Sequence, residues 1–394
     1  FQASARFGQA RVEEIVAAEA APRGLALERA CDYLRSRIHY GWGEAESRGL
    51  SLFLEYAAEL GLTPHKPAVE MLAEPALVVK AMLSPREALD LFESDDLIGV
   101  GLAADALRRK LHPEGIVTYI IDRNINYTNF CTEYCSFCAF YRPMGHQEGY
   151  ILSQEVIFEK IRETIALGGT GVLMQGGLHP DLKIEWYEDL FRSIKARFPI
   201  HLHCLSAPEI TNIAEVSGLS IRDTIGRLRD AGLDSIPGGG AEILDDEVRR
   251  RISRLKCSAA EWIDVHRTAH QLGMRTTATM MFGVEETFEH RVHHLETIRR
   301  IQEETGGFTA FIPWTFQRDN TSLGRFVKEE ASAVEYLQML AISRLYLDNI
   351  ENIQSSWVTQ GLKMVQLGLR FGGNDVGSVM LEENVVSAAG AHHH

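Results

Sequence analysis

Apolar and polar positions follow two alternating patterns from residue 84 onward. Short apolar runs, typical of buried strands, are separated by longer stretches in which apolar residues recur every three or four positions, as on one face of a helix. Eight runs are predicted to be strands: Val117–Ile121, Gly171–Gln175, His201–Leu205, Asp234–Pro237, Thr276–Phe282, Phe308–Pro313, Ile353–Trp357 and Leu369–Phe371.

Helices are predicted between these strands, and two of them begin with recognisable capping residues. Ser84, Pro85 and Glu87 supply an N-cap, a first-turn proline and a capping-box acid for a helix over 86–93. Ser258 and Glu261 predict a capping box for a helix over 259–272, and further helices are predicted over 154–167 and 221–231. Because strands that alternate with helices form parallel sheets, the pattern predicts an α/β fold, a closed (β/α)8 TIM-type barrel over residues 84–390.

The N-terminal segment, residues 1–80, is predicted to be helical over 10–20, 25–38 and 45–60. It resembles the closing helices of the chorismate dehydratase family in Tyr33–Leu34, Ile38–Tyr40, Gly49–Phe53 and Ala57–Leu62. This resemblance implies a helical domain that is the tail of a fused upstream protein. An ordinary helical extension of the barrel is the alternative.

Composition and charge exclude two classes of partner. The 394 residues are 45% hydrophobic and carry a formal charge of −14. That acidic balance argues against a nucleic-acid groove, which depends on clustered Lys and Arg. Since no apolar run reaches the ~20 residues that span a bilayer, we expect no membrane insertion.

The six cysteines divide into a tight array and three scattered residues. Cys31, Cys204 and Cys257 are expected to be small buried hydrophobes, and the set does not form a disulfide framework for a chain of this size. We therefore expect a reducing compartment, most simply the cytoplasm.

Cys131, Cys135 and Cys138 form a C-x3-C-x2-C array. Thiolates this close cannot all pair as disulfides, and three soft ligands on one loop suit an iron–sulfur cluster or zinc. A four-iron cluster held by three thiolates leaves one iron open for another ligand. A structural zinc site would need a fourth protein ligand, for which His146 is the nearest candidate.

Glycine and polar residues follow several predicted strands, where the active site of a (β/α)8 barrel lies. Glycines at such positions let the backbone approach a ligand closely, and Glu209 has an alternative role as a first-turn helix acid. The candidates are Gln175, Gly176 and Gly177 after the second strand, His203, Ser206 and Glu209 at the third, and Gly238, Gly239 and Gly240 after the fourth.

Three further patterns have competing interpretations. Thr277, Thr279 and Met281 alternate along one strand and point either into the barrel as ligand contacts or into its packing. The polar run 372–378, with 382–384, suits a loop that closes over a polar ligand, and a surface turn is the alternative. The cluster His290, His293 and His294 is interpreted as a solvated helix face rather than a metal site.

The cysteine loop, with Phe137 before the third cysteine, resembles the signature of the radical S-adenosylmethionine (SAM) superfamily. Within it, residues 84–390 closely resemble the cyclic dehypoxanthine futalosine synthase family. Aminofutalosine synthases and deazaflavin-cofactor synthases share the cysteine loop and are alternatives, and a non-catalytic metal-cluster module is a remote one. The runs that carry the resemblance are Asp122–Asn129, Phe140–Arg142, Pro237–Glu242, Met280–Gly283, Gly372–Ser378 and Glu382–Asn384.

The resemblance implies a radical SAM cyclase of menaquinone biosynthesis. It implies a 4Fe-4S cluster on the three cysteines of the array, S-adenosyl-L-methionine at the open iron, and an electron donor such as flavodoxin or ferredoxin. SAM contacts are implied for the following residues: Phe137, Gln175, Gly176, Gly177, Ser206, Glu209, Gly238, Gly239 and Gly240.

The implied small-molecule substrate is dehypoxanthine futalosine, which loses a hydrogen from ribose C4′ and then cyclises. Asp375, Glu382 and His203 are candidates for the base that the reaction needs. Arg142 and Arg370 are candidates for the substrate carboxylate, because a guanidinium binds such a group through two hydrogen bonds.

Overall fold

The computed structural model describes residues 83–391 and residue 393. The predicted N-terminal domain, with its three helices and Cys31, lies outside the described residues and stays a prediction. Among the residues described, no helix is long and apolar enough to cross a membrane. The helices are α1 Pro85–Phe92, α2 Leu97–Leu111, α3 Gln154–Ala166, α4 Ile184–Lys195, α5 Ala207–Ser217, α6 Ile221–Ala231, α7 Asp246–Ile252, α8 Ala259–Gln271, α9 Phe288–Thr305, α10 Ala333–Tyr346, α11 Trp357–Gly368 and α12 Val385–Ala388.

Seven parallel strands form the main sheet in the sequential order β2 to β8, and helices follow most of them, as the sequence predicts. A second, two-stranded parallel sheet pairs β1 with β9. The strands are β1 Thr118–Ile120, β2 Asp122–Ile125, β3 Gly171–Met174, β4 His201–Cys204, β5 Ser235–Ile236, β6 Arg275–Phe282, β7 Phe308–Thr315, β8 Asn352–Ile353 and β9 Asp375–Ser378.

The strand β9 and the residues after it bridge the two edges of the main sheet. Asp375 forms an isolated bridge with Gln354, just past β8. On the other side, the amide of Leu381 donates to the carbonyl of Asp122 in β2 at 3.0 Å. The curled seven-stranded sheet is therefore spanned by the β1–β9 pair, and the predicted α/β barrel architecture is confirmed.

The strand predictions were wrong at three places. The first run, Val117–Ile121, covers only β1, and the strand that joins the main sheet, β2, begins after it at Asp122. The strand β8 ends at Ile353 because Trp357 already begins α11. Leu369–Phe371 is not a strand, since Leu369 is the C-cap of α11 and a turn follows it. The Phe371 ring packs so closely on Gly101 that a Cβ there would lie 2.5 Å away, so this residue anchors a turn to α2.

Both predicted capping boxes are present. Ser84 accepts from the Glu87 amide at the start of α1, and Ser258 accepts from the Glu261 amide at the start of α8. In turn, a carboxylate oxygen of each glutamate accepts from the serine amide, at 2.8 Å in both helices.

The histidine cluster of α9 was predicted to be a solvated face, and for His294 this is wrong. His294 is fully buried, and its Nδ1 accepts a hydrogen bond from the amide of Leu244 at 3.0 Å. Burial lowers its pKa to about 3, so the imidazole is neutral. His293 is exposed and lies 3.2 Å from Asp245. Charged neighbours in sequence therefore did not show which face of α9 packs on the barrel.

Candidate active site

The cysteine array lies on a loop after β2 that is held by its own backbone. The amide of Cys131 donates to the carbonyl of Arg142 at 3.1 Å, and the amide of Arg142 donates to Asn129 at 2.7 Å. The Arg142 guanidinium bonds Glu148 at 2.7 Å and three successive loop carbonyls. Arg142 therefore stabilises the loop and pairs with a neighbouring acid, Glu148.

The three thiols share a protected environment. Cys131 and Cys135 are buried and Cys138 is half-buried. Burial raises the pKa of all three thiols, that of Cys135 to about 12, so a metal must displace their protons to bind. Across the residues described, no three His, Cys, Asp or Glu side chains are placed to bind one metal ion. A cluster does not require that arrangement, because each thiolate binds a different iron.

A cavity of about 220 Å³ brings together most of the predicted site. It contains all three cysteines and residues from the loops after β3, β4 and β5, so sulfur ligands and glycine-rich backbone face one space. The predicted residues that line it are Cys131, Cys135, Cys138, Phe137, Gln175, Gly176, Gly177, Ser206, Glu209, Gly239 and Gly240. Three thiols that line one cavity fit a cluster with three protein ligands.

The glycines after β3 allow this loop to lie against the cysteine loop. A Cβ on Gly177 would lie 2.1 Å from the carbonyl oxygen of Phe130, and one on Gly176 would lie 2.6 Å from the Tyr127 ring. The amide of Gly177 also donates to the carbonyl of Thr128 at 3.0 Å. These two glycines thus fix the position of the backbone just before the first cysteine.

Glu209 has protein partners for both carboxylate oxygens. One oxygen accepts from the Tyr127 hydroxyl at 2.8 Å and from the Gly176 amide at 2.9 Å. The other accepts from the amide and the hydroxyl of Ser206, which completes a capping box at the start of α5. Burial raises the pKa of Glu209. Its role as a first-turn helix acid is therefore present, and it also connects three loops of the cavity.

The three glycines after β5 have different environments. Gly238 does not line the cavity, because a Cβ there would lie 2.7 Å from the backbone of Ala278 in β6. The Gly238 amide donates to the Thr277 hydroxyl oxygen at 2.9 Å, and the Thr279 hydroxyl donates to the Gly238 carbonyl at 2.7 Å. Gly239 and Gly240 do line the cavity. The Thr277 and Thr279 hydroxyls therefore bond the backbone of the barrel wall rather than a ligand.

An ion pair beside the cysteines was missed by the sequence reasoning. Lys256 and Glu242 both line the cavity, 2.5 Å apart, and their side chains are 11% and 5% exposed. The Lys256 ammonium also lies 5.1 Å from the centroid of the Phe137 ring. Glu242 stood inside a run already singled out for its glycines, but nothing near Lys256 in the sequence pointed to this site.

A second missed residue is Glu133, between the first two cysteines. It lines the cavity, and one of its carboxylate oxygens is buried with no hydrogen-bond partner in the described structure. Burial raises the pKa of Glu133 to about 7. An unpaired buried acceptor is costly, so this oxygen is suited to receive a donor from a bound molecule.

None of the three candidate bases lines the cavity. Asp375 accepts from Thr118 at 2.5 Å, and Glu382 pairs with Lys160 at 2.6 Å. His203 bonds Ser235 at 2.6 Å, and burial, with the neighbouring His201, lowers its pKa to about 3. The segment that follows Glu382 does reach the cavity through Val385.

Neither Arg370 nor His146 joins the three cysteines in the cavity. Arg370 is exposed in the turn after α11, and the Nδ1 of His146 accepts from the amide of Glu148 at 3.2 Å.

Comparison with known proteins identifies the class. The model of the Radical SAM superfamily matches residues 125–298, and that of the CofH/MqnC C-terminal region matches residues 305–394. The crystal structure of a methylornithine synthase has a TM-score of 0.62 at 19% identity, covering 79% of this chain and 89% of that one, and shows the same fold. The chain is therefore a radical SAM enzyme by family and has the fold of that class.

Relatives with higher sequence identity than this structure show the family within the superfamily. A cyclic dehypoxanthine futalosine synthase of Halalkalibacterium halodurans is 53% identical over 79% of this chain and 84% of the relative. Another, of Streptomyces coelicolor, is 47% identical over 79% and 78%. A 5-amino-6-(D-ribitylamino)uracil–L-tyrosine 4-hydroxyphenyl transferase of Methanococcoides burtonii is 44% identical over 73% and 81%. The chain belongs to the cyclic dehypoxanthine futalosine synthase family.

Proposed function

We propose that this protein converts dehypoxanthine futalosine to its cyclic form in menaquinone biosynthesis. The observation that carries the proposal is the cavity that the three cysteines line together with the glycine loops of three strand ends. Two relatives named cyclic dehypoxanthine futalosine synthase, each aligned with about four-fifths of this chain, support the proposal.

Cys131, Cys135 and Cys138 would hold a 4Fe-4S cluster, which supplies the electron that splits SAM into methionine and a 5′-deoxyadenosyl radical. The protein's own part is to position the reactants and to exclude water, since both conditions protect a reactive radical. The burial of Cys131, Cys135 and the surrounding loops provides that exclusion. A reductant such as flavodoxin or ferredoxin is required, and the free described cysteines are consistent with a cytoplasmic location.

Two charged groups in the cavity suit the amino-acid end of SAM. Lys256 is the only Lys or Arg among the residues that line the cavity in the described structure, and a carboxylate entering it would find this cation. The unpaired oxygen of Glu133 offers an acceptor for an ammonium group. We therefore assign Lys256 to the carboxylate and Glu133 to the ammonium of SAM.

The base for the reaction stays a prediction. At a pKa of about 3, His203 is a weak proton acceptor at neutral pH, although its imidazole is neutral and able to accept. Asp375 and Glu382 lie in the segment that closes the barrel and have the protein partners given above.

An anaerobic assay with dehypoxanthine futalosine deuterated at C4′ tests the proposal. We expect deuterium in 5′-deoxyadenosine together with a cyclised product, both followed by mass spectrometry. If this substrate is untouched while an enolpyruvyl benzoate is consumed with SAM, the protein is an aminofutalosine synthase instead.

A further inference from the structure

A second cavity, of about 760 Å³, lies beside the cysteine loop, which lines it through residues 138–148. It shares Cys138 and Tyr141 with the smaller cavity, so the two spaces adjoin at these residues. Its opposite wall is the loop after β7, residues 318–325. One cluster ligand therefore faces both the proposed reaction chamber and this outer cavity.

The loop after β7 is bonded directly to the cysteine loop. The amide of Leu323 donates to the carbonyl of Ser136 at 2.8 Å, and the Ser322 hydroxyl donates to the same oxygen at 3.0 Å. Ser136 stands between the second and third cysteines. Arg325, at the end of the short 3-10 helix Leu323–Arg325, is thus held close to the array.

The outer cavity has basic groups in a protein of formal charge −14. Arg142, Arg318, Arg325 and His146 line it, against the acids Glu148 and Asp319. The guanidinium of Arg142 is committed to its loop, and that of Arg318 bonds the carbonyls of Lys328 and Gly324. Arg325 is exposed, and in the described structure its side chain has no hydrogen-bond or ion-pair partner.

Exposed apolar side chains lie next to residues of the cavity wall. Phe326, next to Arg325, is 72% exposed, and Met144, beside Pro143 of the cavity wall, is 40% exposed. Tyr134 is 47% exposed and contacts Tyr141 edge to face. Aromatic residues, Met and Arg are the types enriched in protein interfaces.

We propose that the outer cavity and its rim are the docking surface for an acidic one-electron carrier protein. The inference rests on the proposed function, which requires that a cluster at Cys138 be reduced. One electron leaves the carrier, which is oxidised by one electron, and enters the cluster, which is reduced by one; no bond forms or breaks. The basic cavity attracts the acidic carrier, and Phe326, Met144 and Tyr134 give the contact its apolar part.

The test compares Arg325→Glu with Arg222→Glu in the reconstituted holoenzyme, using a reduced flavodoxin as the probe. Arg222 is an exposed arginine on α6, and no residue of that helix lines either cavity. We expect Arg325→Glu to raise the Kd for flavodoxin about tenfold at low salt and to slow cluster reduction in stopped-flow absorption, whereas Arg222→Glu changes neither. Dithionite-driven SAM cleavage should be unchanged in both variants.

Phe326→Ser gives a second, independent readout. The loss of affinity in Arg325→Glu should shrink as salt rises, whereas the loss in Phe326→Ser should persist, because salt screens charge and not apolar contact. Equal effects of Arg325→Glu and Arg222→Glu, or no effect of Arg325→Glu and Phe326→Ser, would overturn the docking surface. Failure of the wild-type protein to cleave SAM with dithionite would count against the proposed function alone, because flavodoxin binding is measured separately.

Discussion

Removing the buried cation of the cavity, in Lys256→Met, is expected to affect stability and SAM binding by separate routes. The Lys256 and Glu242 side chains are 11% and 5% exposed and lie 2.5 Å apart. Methionine retains the length and apolar stem of lysine but leaves Glu242 as a buried charge without its partner. Loss of one member of a buried pair typically costs about 3–5 kcal/mol of unfolding free energy.

The double variant Lys256→Met/Glu242→Gln separates the two effects. Because it contains no unpaired charge, we expect it to recover most of the lost stability. It still lacks the cation assigned to the SAM carboxylate, so SAM affinity should remain at least tenfold weaker than in the wild type. Urea unfolding of the apoprotein measures the first quantity, and anaerobic equilibrium dialysis of the cluster-loaded protein measures the second.

Two results would refute this reasoning. A single variant within about 1 kcal/mol of the wild type would mean that Glu242 finds another partner or solvent. A double variant with wild-type SAM affinity would mean that Lys256 only neutralises Glu242. Iron content serves as the control, since neither substitution removes a cysteine.

Five other substitutions, two of them controls, test the cysteine array, the contact of Gly177 with the cysteine loop, and the buried acid Asp122 of β2. Cys131→Ala should abolish iron binding and SAM cleavage, whereas Cys204→Ser should keep full iron content; a full cluster in the first would contradict the assignment. Gly177→Ala should displace the cysteine loop and lower cluster occupancy, because the new Cβ meets a carbonyl oxygen at 2.1 Å, whereas Gly226→Ala on α6 has open space and should gain about 0.5–1 kcal/mol of stability. Burial raises the pKa of Asp122 to about 6, so its contribution to stability is present at low pH and is lost as pH rises through about 6. In Asp122→Asn, the unfolding free energy should therefore depend less on pH between about pH 4 and 6. Urea unfolding at several pH values measures this, and the same pH dependence in the variant and the wild type would argue against it.

Local features were predictable from the sequence, and long-range contacts were not. The capping boxes at Ser84 and Ser258 depend on residues three positions apart, so the pattern alone was sufficient. The array of three cysteines was found for the same reason. The ion pair of Lys256 with Glu242 depends on how two loops fold against each other. Apolar residues at 369–371 suggested a strand because a run so short does not distinguish a strand from the end of a helix.

The difference between local pattern and long-range packing also explains which of the predicted strand-end residues line the cavity. Glycines marked the correct loops, but whether each glycine faces the cavity or a neighbouring strand depends on packing. Gly239 lines the cavity, while Gly238, one residue earlier, lies against β6. Glu209 was equally suited to a ligand or to a helix start, and only the structure showed how many protein donors it already accepts from.

The pairing of β1 with β9 has a consequence for the order in which the protein folds. Thr118 and Asp375, which bond each other across this pair, are 257 residues apart in sequence. Contacts between such distant residues form late, because the chain between them must first be brought together. The cysteine loop directly follows β2, and within the described part of the chain its backbone-to-backbone bonds go to residues 127–178, 252 and 323. We therefore expect the loop to reach its final shape before β9 pairs with β1, and Val385, which follows β9, to join the cavity wall afterwards.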